Sequence, residues 1–506
     1  MQHINGEDRN QMFMLSLEST ISENAFVRVI DAFVDAIDIK SFGFRHVECT
    51  EEGRPAYHPS ALLKLYIYGY KFGIRSSRQL EREARLNMEA MWLLSGVHPR
   101  YHTISDFRKE NKKAFREIFR RFVVLLREWE LIEGETIAID SFKIRAKNSL
   151  KNNYNEKKIE RHIAYIDEKI AAYETLLDEC DKEEERQELE EKIAYQNEKK
   201  DNYRSMEEKL QTSGEDQISL TDPDSKAVIL LRNIVNVGYN VQASADAKNK
   251  LLVEFDTGHV NDTHALADMA ISSKELLKAE KINAIADKGY HTGEEIQRCE
   301  DHNIITYVSP REYSTNNDEL YPVEKFTYNK DNDTYTCPAE CTLTTTGKWY
   351  KHSDRRKGRF SYQFKRYTTS KCKGCTQRQY CTGGKQNGRA IDRSQYAEAL
   401  EENTRRVEQN PDYYRLRQQI IEHIFGTLKR QRGFTYTMVK GKENVLGEVG
   451  LMFIGYNLSR CVSILGIKKL IKALRECCLL IFRLGNRLIL GHFEAIYLRN
   501  QKTVIC

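Results

Sequence analysis

Lys281-Ile-Asn-Ala-Ile-Ala-Asp287 is a short apolar run that ends on an aspartate, and it repeats the pattern of Glu135-Thr-Ile-Ala-Ile-Asp140. Short apolar runs of this kind are typical of buried strands. Helical segments and further strand-like runs lie around both stretches, which predicts an α/β fold with helices packed on a mixed sheet. Strands that end on carboxylates in such a fold present them to a shared cleft.

Two segments interrupt this pattern. From Asn155 to Leu210 the chain is rich in Lys and Glu, and its apolar residues recur every three or four positions, which predicts an antiparallel helical hairpin. From about Tyr313 to Arg393 it is polar and rich in cysteine. We therefore predict a helical N-terminal domain at 1–130, the first part of the core at 131–312 with the helical-hairpin insertion at 155–211, a Cys-rich basic insertion at 313–393, C-terminal core helices at 394–466 and an amphipathic helical tail at 467–506.

Composition excludes several classes of protein. The chain has 506 residues, and no stretch in it reaches the roughly 20 consecutive apolar residues of a membrane-spanning helix. Its N-terminal residues do not read as a signal peptide, so its 12 cysteines favour thiols or metal ligation in the cytoplasm over disulfides. There is no Walker-type phosphate loop. We expect neither a membrane partner nor a nucleotide cofactor.

A third acid, Glu422, lies in a predicted helix from Tyr414 to Lys429. On an ideal helix the residues Arg415, Gln418 and Lys429 fall within about 40° of Glu422, opposite an apolar stripe. Three carboxylates suit Mg²⁺, and two such ions about 4 Å apart promote in-line displacement at phosphate. An isolated aspartate at a strand end is more often a cap or turn residue, and spacing alone leaves that alternative open.

Several motifs occur in a fixed order along the chain. The N-terminal region contains Arg75-Ser-Ser-Arg78-Gln-Leu-Glu-Arg82, whose cations suit phosphate contacts. The later motifs are Ile139-Asp140-Ser, Ser219-Leu-Thr-Asp-Pro-Asp224, Gly238-Tyr-Asn-Val-Gln242, Ala286-Asp287-Lys-Gly-Tyr290 and Glu422-His-Ile-Phe-Gly-Thr-Leu-Lys429. Together they resemble the bacterial insertion-sequence transposases of the DDE class over nearly the whole chain.

The resemblance implies an RNase H-like core in which Asp140, Asp287 and Glu422 bind Mg²⁺ or Mn²⁺ and cleave and transfer DNA strands. It implies double-stranded DNA as partner, both transposon ends and target, and a homodimer that holds two ends. It also implies a helix motif, Tyr-x2-Arg-x3-Glu-x6-Lys, whose residues contact the DNA end. Tyr414, Arg417 and Lys429 match it, but four residues separate Arg417 from Glu422. On an ideal helix Arg417 would point about 140° away from Glu422, so Arg415 or Gln418 is expected to replace it.

The Cys-rich insertion contains two close cysteine pairs, Cys337-x3-Cys341 and Cys372-x2-Cys375, which can enclose structural Zn²⁺. Reduced, partly buried thiols are the alternative, because Cys381 is an odd fifth candidate. Residues 351–395 contain 13 Lys+Arg against Asp354 and Asp392, with aromatic residues between them, which predicts a nucleic-acid surface. Trp349 could stack there on an extruded base.

Two other functions are alternatives to transposition. A metal-dependent nuclease that cuts DNA without strand transfer would need the same three acids. A catalytically inactive DNA-binding protein would not need them, and their joint presence argues against it.

Overall fold

The computed structural model describes residues 10, 12, 14, 16–48, 55–229, 234–311, 320–354, 359–382 and 388–476, with the backbone alone at 353, 354 and 359–361. The chain folds into two compact units. The first unit comprises Met1–Glu133, Ser141–Val260 and Ile420–Cys506, and the second unit comprises Gly134–Asp140 and Asn261–Gln419. Both units are therefore discontinuous in sequence.

The described residues form helices and strands in an irregular alternation. The helices are α1 (Leu17–Thr20), α2 (Phe26–Asp35), α3 (Pro59–Lys71), α4 (Ser77–Leu86), α5 (Met88–Leu93), α6 (Tyr101–Glu110), α7 (Lys112–Glu128), α8 (Glu156–Asp178), α9 (Glu183–Ser213), α10 (Leu266–Leu277), α11 (Gly293–Asp301), α12 (Ala397–Gln409), α13 (Pro411–Arg417), α14 (His423–Gly426) and α15 (Lys442–Leu465). The strands are β1 (Thr136–Arg145), β2 (Asn153–Tyr154), β3 (Ile218–Ser219), β4 (Lys226–Ile229), β5 (Val235–Asp246), β6 (Leu252–Thr257), β7 (Ile282–Ala286), β8 (Ile304–Val308), β9 (Thr327–Asn329), β10 (Thr334–Thr336), β11 (Thr342–Asp354), β12 (Arg359–Thr368) and β13 (Ile391–Ser394).

The core of the first unit is built around α15. This helix is buried along most of its length and packs on α3, α7 and β6. Two glycines allow the close approach to α7: a Cβ at Gly447 would lie 3.0 Å from the carbonyl oxygen of Lys112, and one at Gly450 would lie 3.2 Å from that of Phe115. Because α3 and α7 are amphipathic, their apolar faces join α15 in one core.

Antiparallel strands pair with one another in the first unit. β5 pairs with β4 and also with β6, and β5 and β6 form a hairpin. The residue after β1, Ala146, donates its N–H to the carbonyl oxygen of Val237 at 2.9 Å, so the chain leaves β1 beside β5. The predicted helical hairpin is also present as α8 and α9, which pack along each other.

Parallel strands pair with one another in the second unit. The first half of β1 pairs with β7, and β7 pairs with β8. Helices α10 and α11 connect to these strands, and α11 packs on α12 and β8. Helices that connect parallel strands cover the faces of those strands. The strands are therefore largely buried, as their apolar sequences predicted.

The Cys-rich insertion contains an antiparallel sheet in the order β13, β12, β11, β10 and β9. Its small core consists of Phe326, Tyr335, Leu343, Tyr367 and Ile391. We did not predict these strands, because their aromatic and cationic residues mask the alternation of apolar side chains.

The prediction of a mixed α/β fold is confirmed, while the predicted domain limits stay predictions. A helix at Ile467–Glu476 begins the predicted tail, and the rest of that tail lies outside the described residues. Within the described ranges no single helix is long and apolar enough to cross a membrane, although α15 and Ile467–Glu476, bent by 112°, pass that test as a pair by length and composition.

Candidate active site

Asp140 and Asp287 occupy equivalent positions on two neighbouring parallel strands. The last paired residues before them, Ile139 and Ala286, face each other across β1 and β7. Asp140 lies within β1 at the point where the pairing with β7 ends, and Asp287 directly follows β7, so the two aspartates come next in the same parallel register. Both side chains are partly exposed. The prediction that the first strand ends on Asp140 is wrong, because β1 continues to Arg145. The metal-binding role of the two carboxylates stays a prediction.

A tight turn holds the Asp287 carboxylate. Its Oδ1 accepts the backbone N–H of Gly289 at 2.7 Å, at the start of a 3-10 turn from Lys288 to Tyr290. Arg311 donates to the carbonyl oxygens of Lys288 at 2.9 Å and of Gly289 at 2.7 Å. Because Asp287 and Arg311 both hydrogen-bond to the backbone of this turn, the direction of Oδ1 of Asp287 is fixed.

A second acid beside this turn was missed by sequence reasoning. Asp262 begins the 3-10 turn Asp262–His264, and its Oδ2 would lie 3.6 Å from a Cβ built on Gly289. The same Cβ would lie 2.8 Å from Oδ1 of Asp287, so both carboxylates surround this glycine. Asp262 does not end an apolar strand, and the pattern that identified Asp140 and Asp287 could not find it.

Arg417 pairs with Asp140 inside the second unit. Its Nη1 lies 3.0 Å from Oδ2 of Asp140, and the two side chains are 12% and 17% exposed. A tyrosine of α13 holds this helix against the two strands. Tyr413 hydrogen-bonds through its hydroxyl to Thr136 Oγ1 at 2.5 Å and accepts from Asn283 Nδ2 at 3.0 Å. Tyr413 therefore fixes α13 to both β1 and β7, a role that we had not assigned to it.

The helix that carries these residues is not an ideal α-helix. After α13 the chain forms a π-helix at Gln418–Glu422, then α14, then a second π-helix at Thr427–Gln431. In a π-helix the backbone hydrogen bond joins residues five positions apart, whereas in an α-helix it joins residues four positions apart. Residues five apart in a π-helix therefore lie on the same side of the helix, as residues four apart do in an α-helix. The segment after Arg417 therefore departs from the ideal helix on which its expected direction was based.

The other residues of this helix differ in their surroundings. Arg415, expected as a substitute for Arg417, is exposed and pairs with Asp412 at 3.1 Å on its own helix. Tyr414 is partly exposed. In the first unit, Glu422 is exposed, and Lys429 places its Nζ 5.8 Å from the centre of the Phe142 ring.

Two family models match this chain. Residues 15–110 match the model described as Transposase domain (DUF772), and residues 336–462 match the model described as Transposase DDE domain. These two matches support an insertion-sequence transposase of the DDE class. Its function is accordingly DNA transposition by a DDE-type transposase.

Other comparisons add little about this transposase. One solved structure, the cryo-EM structure of piggyBac transposase in a synaptic complex with hairpin DNA, has a TM-score of 0.28 and 10% sequence identity to it. That similarity covers 90% of this chain and 79% of the other. No curated protein matches the transposase. We base no conclusion on a structural similarity of this size.

The N-terminal arginines predicted to contact DNA fall into two groups. Arg75 is buried, and its guanidinium lies 3.2 Å from the Glu448 carboxylate and donates to the carbonyl oxygens of Tyr436 and Gly433. We therefore withdraw Arg75 as a phosphate contact of the transposase, because its charge is used inside the first unit. Arg78 and Arg82 are exposed on one face of α4, as four-residue spacing on a helix requires.

The cysteines of the insertion converge on one small cavity of about 20 Å³. Cys337, Cys341, Cys372, Cys375 and also Cys381 line it. The backbone N–H of Cys341 points to Sγ of Cys337 at 3.3 Å, which forms a tight turn between the first pair. Burial raises the pKa of the Cys341 and Cys381 thiols above the ordinary value. The fifth cysteine is thus a member of the cluster.

In the described ranges, no three His, Cys, Asp or Glu side chains are placed closely enough to surround one metal ion. The donor types nevertheless differ clearly between the two regions of the transposase. The carboxylate oxygens of Asp140 and Asp287 suit hard divalent ions, whereas the thiols of the insertion suit zinc.

The glycine between the two acids allows a direct prediction. We expect Gly289→Ala to lower transposition activity by about 10- to 100-fold, because the new methyl group would displace the Asp287 carboxylate from its turn. A strand-transfer assay with purified protein measures this. Gly374→Ala is the matched control, since its Cβ would meet nothing within 4 Å. Equal activity of Gly289→Ala and wild type would show that the turn does not position Asp287.

Proposed function

We propose that the transposase cleaves and joins double-stranded DNA at transposon ends through an RNase H-like core in which Asp140, Asp287 and Glu422 hold Mg²⁺ or Mn²⁺. The observation that carries the proposal is the alignment of Asp140 and Asp287 directly after the last paired residues of the neighbouring parallel strands β1 and β7, with Arg417 against Asp140. Glu422 is included because it matches the third acid of the family motif.

Divalent ions bound by such a carboxylate set activate an attacking oxygen and stabilise a leaving oxygen at a phosphodiester. The protein's own contribution is to hold the carboxylates in place. Arg417 orients Asp140 through its guanidinium, and the Gly289 N–H orients Asp287. Tyr413 keeps α13 against both strands, so Arg417 approaches Asp140 from a fixed direction.

DNA contacts are proposed for residues of the helical segment around Glu422 and for two arginines of α4. Lys429 and Tyr414 match the family motif, and Arg415 lies exposed on the same helix. Arg78 and Arg82 form an exposed basic face of α4. Such side chains neutralise backbone phosphates without reading sequence. A homodimer is proposed because two transposon ends must be held together for concerted transfer.

The strand pair β11 and β12 offers a further DNA surface. Trp349 is 44% exposed, and Lys365 Nζ lies 5.3 Å from its ring centre. Tyr350 stacks on Phe364 across the strands with ring centres 5.7 Å apart. Exposed aromatic rings beside cations stack on nucleic-acid bases while the cations bind phosphate. We propose that Trp349 stacks on an unpaired base.

The decisive assay uses the full chain, DNA that carries the transposon ends and a target plasmid, with Mg²⁺, with Mn²⁺ or with EDTA. We expect metal-dependent end cleavage and joined products. Cleavage without joined products would favour the alternative, a metal-dependent nuclease that lacks strand transfer. Binding of DNA without any cleavage would favour a catalytically inactive DNA-binding protein.

We further propose that the cysteine cluster binds one structural Zn²⁺ through four of its five thiols. Four thiolates surround zinc tetrahedrally, and Cys-x2-Cys pairs such as Cys372 and Cys375 are common in such sites. Their convergence on one cavity with Cys337, Cys341 and Cys381 supports this. Lys371, Arg378 and Arg389 also line the cavity, and their positive charges offset the negative charge of a four-thiolate zinc site.

This proposal predicts one zinc per chain by elemental analysis of protein purified without chelator. Cys372→Ser together with Cys375→Ser should remove it, because two of four ligands are lost. Cys180→Ser is the matched control, since Cys180 lies at the end of α8 outside the cluster. Single Ser variants of the remaining three cysteines identify the one that is not a ligand. Zinc-free wild-type protein would disprove the site.

A further inference from the structure

An open pocket of about 440 Å³ lies in the first unit between the end of α3, the helical segment that follows Glu422, and α15. Its walls carry cations and hydroxyl groups but no carboxylate. The lining residues are Lys71, Phe72, His423, Thr427, Gln431, Arg432, Tyr456, Ser459, Arg460 and Ser463. We call it the cationic pocket.

Arg432 is the most buried cation of this pocket, with 6% of its surface exposed. Its guanidinium donates to the carbonyl oxygens of Met452 at 3.4 Å and Gly455 at 3.2 Å, and to Ser459 Oγ at 2.9 Å. All three acceptors are neutral. Burial lowers the pKa of Arg432 to about 10, which shows how strongly the site disfavours an uncompensated charge.

Two further cations, Lys71 and Arg460, add to the positive charge of the cationic pocket. Burial and the neighbouring Arg432 lower the pKa of Lys71. Arg460 is held in place by a bond from its Nε to the carbonyl oxygen of Asn249 at 2.8 Å. In the part of the chain that the structure describes, neither Lys71 nor Arg432 nor Arg460 forms an ion pair with a carboxylate. Buried or half-buried charges are normally paired, so three unpaired ones around one pocket point to an anionic ligand.

The polar groups around the cations fit a phosphate group. Ser459 and Thr427 bring hydroxyl groups to the walls, and His423 brings an imidazole whose Nε2 lies 3.3 Å from the Tyr456 hydroxyl. Arginine, lysine and hydroxyl groups together are the usual donors to phosphate oxygens. A hydrophobic ligand would leave the three charges unpaired.

We propose that the cationic pocket binds a phosphate of the DNA backbone. DNA is the source favoured here because His423 and Thr427 lie on the same helical segment as Glu422 and Lys429. This part of the inference rests on the proposed function. A phosphate seated in the pocket would fix the DNA along this segment. Arg432, Lys71 and Arg460 are then positioning residues.

The first experiment tests phosphate binding without DNA. Inorganic phosphate should raise the melting temperature of the full-length wild-type protein in a saturable way. The variants are Arg460→Gln, Lys71→Gln and Ser459→Asp, and Lys469→Gln on the exposed surface is the control. Ser459→Asp supplies the missing carboxylate beside Arg432, so it should keep the fold while abolishing the effect of phosphate. An equal effect of phosphate on wild type and Ser459→Asp would overturn the site.

The second experiment separates DNA phosphate from free phosphate. The affinity for a transposon-end duplex is measured at several salt concentrations. We expect Arg460→Gln and Lys71→Gln each to reduce the slope of log affinity against log salt by about one, and Lys469→Gln to leave it unchanged. Unchanged slopes in the two pocket variants would overturn DNA as the source, even if free phosphate binds. If wild type binds no DNA, the proposed function fails while the phosphate effect can still be measured.

Discussion

Asp287→Asn and Asp140→Asn are expected to abolish DNA cleavage and strand transfer while DNA binding is retained. The substitution keeps the size of the side chain but removes the charge that a divalent ion requires. Each residue is proposed to bind the ion directly. The loss of activity should therefore exceed the decrease of about 10- to 100-fold that is usual when a residue supporting a metal ligand is changed. End cleavage and joining are measured with purified protein at saturating Mg²⁺, and binding is measured by gel shift.

Two variants make this result specific. Asp301→Asn removes a carboxylate from the exposed surface of α11 in the same unit and should leave activity unchanged. Glu422→Gln should behave like the two strand-end variants if Glu422 is the third ligand. Cleavage that survives in Asp287→Asn would disprove the carboxylate assignment. Loss in the aspartate variants with normal activity in Glu422→Gln would leave Asp262 as the next candidate for the third position.

Glu448→Ala should lower the free energy of unfolding of the first unit by about 3–5 kcal/mol, the usual cost of removing one partner of a buried ion pair. The Glu448 side chain is fully buried and 3.2 Å from Arg75, and its Oε2 also accepts the N–H of Met438 at 2.9 Å. Truncation leaves the Arg75 guanidinium in the interior with carbonyl oxygens as its remaining acceptors. Urea denaturation followed by circular dichroism measures the change.

The matched control for this variant is Glu443→Ala on the same helix, where the glutamate is exposed. Its effect should stay within about 0.5 kcal/mol. Replacing both Glu448 and Arg75 by Met should recover much of the loss, because no charge is then left unpaired. A change below about 1 kcal/mol in Glu448→Ala would mean that Arg75 finds another partner or reaches water.

Local patterns in the sequence predicted much of this structure. Apolar runs identified β1 and β7, and their aspartates were expected at one sheet edge because parallel strands end together. The heptad spacing identified α8 and α9. In contrast, the burial of Arg75 depends on residues separated from it by 358 to 373 positions, and no local pattern carries that information.

The pairing of Arg417 with Asp140 was not predicted, for a different reason. One extra residue in a helix motif can either rotate all that follows or widen a single turn, and the sequence does not distinguish the two outcomes. The structure widens the turn at Gln418–Glu422. Tyr413 then holds α13 to β1 and β7, so the contact of Arg417 with Asp140 is kept.

The packing of α15 on α3 and α7 has a consequence for biosynthesis. The N-terminal helices leave the ribosome more than 300 residues before the helix that completes their core, as the positions of Glu128 and Lys442 show. Until that helix is made, the nascent chain exposes the apolar surfaces that it will cover. Prematurely terminated chains therefore cannot complete the core of the first unit. The ability to bind DNA is acquired only late in translation.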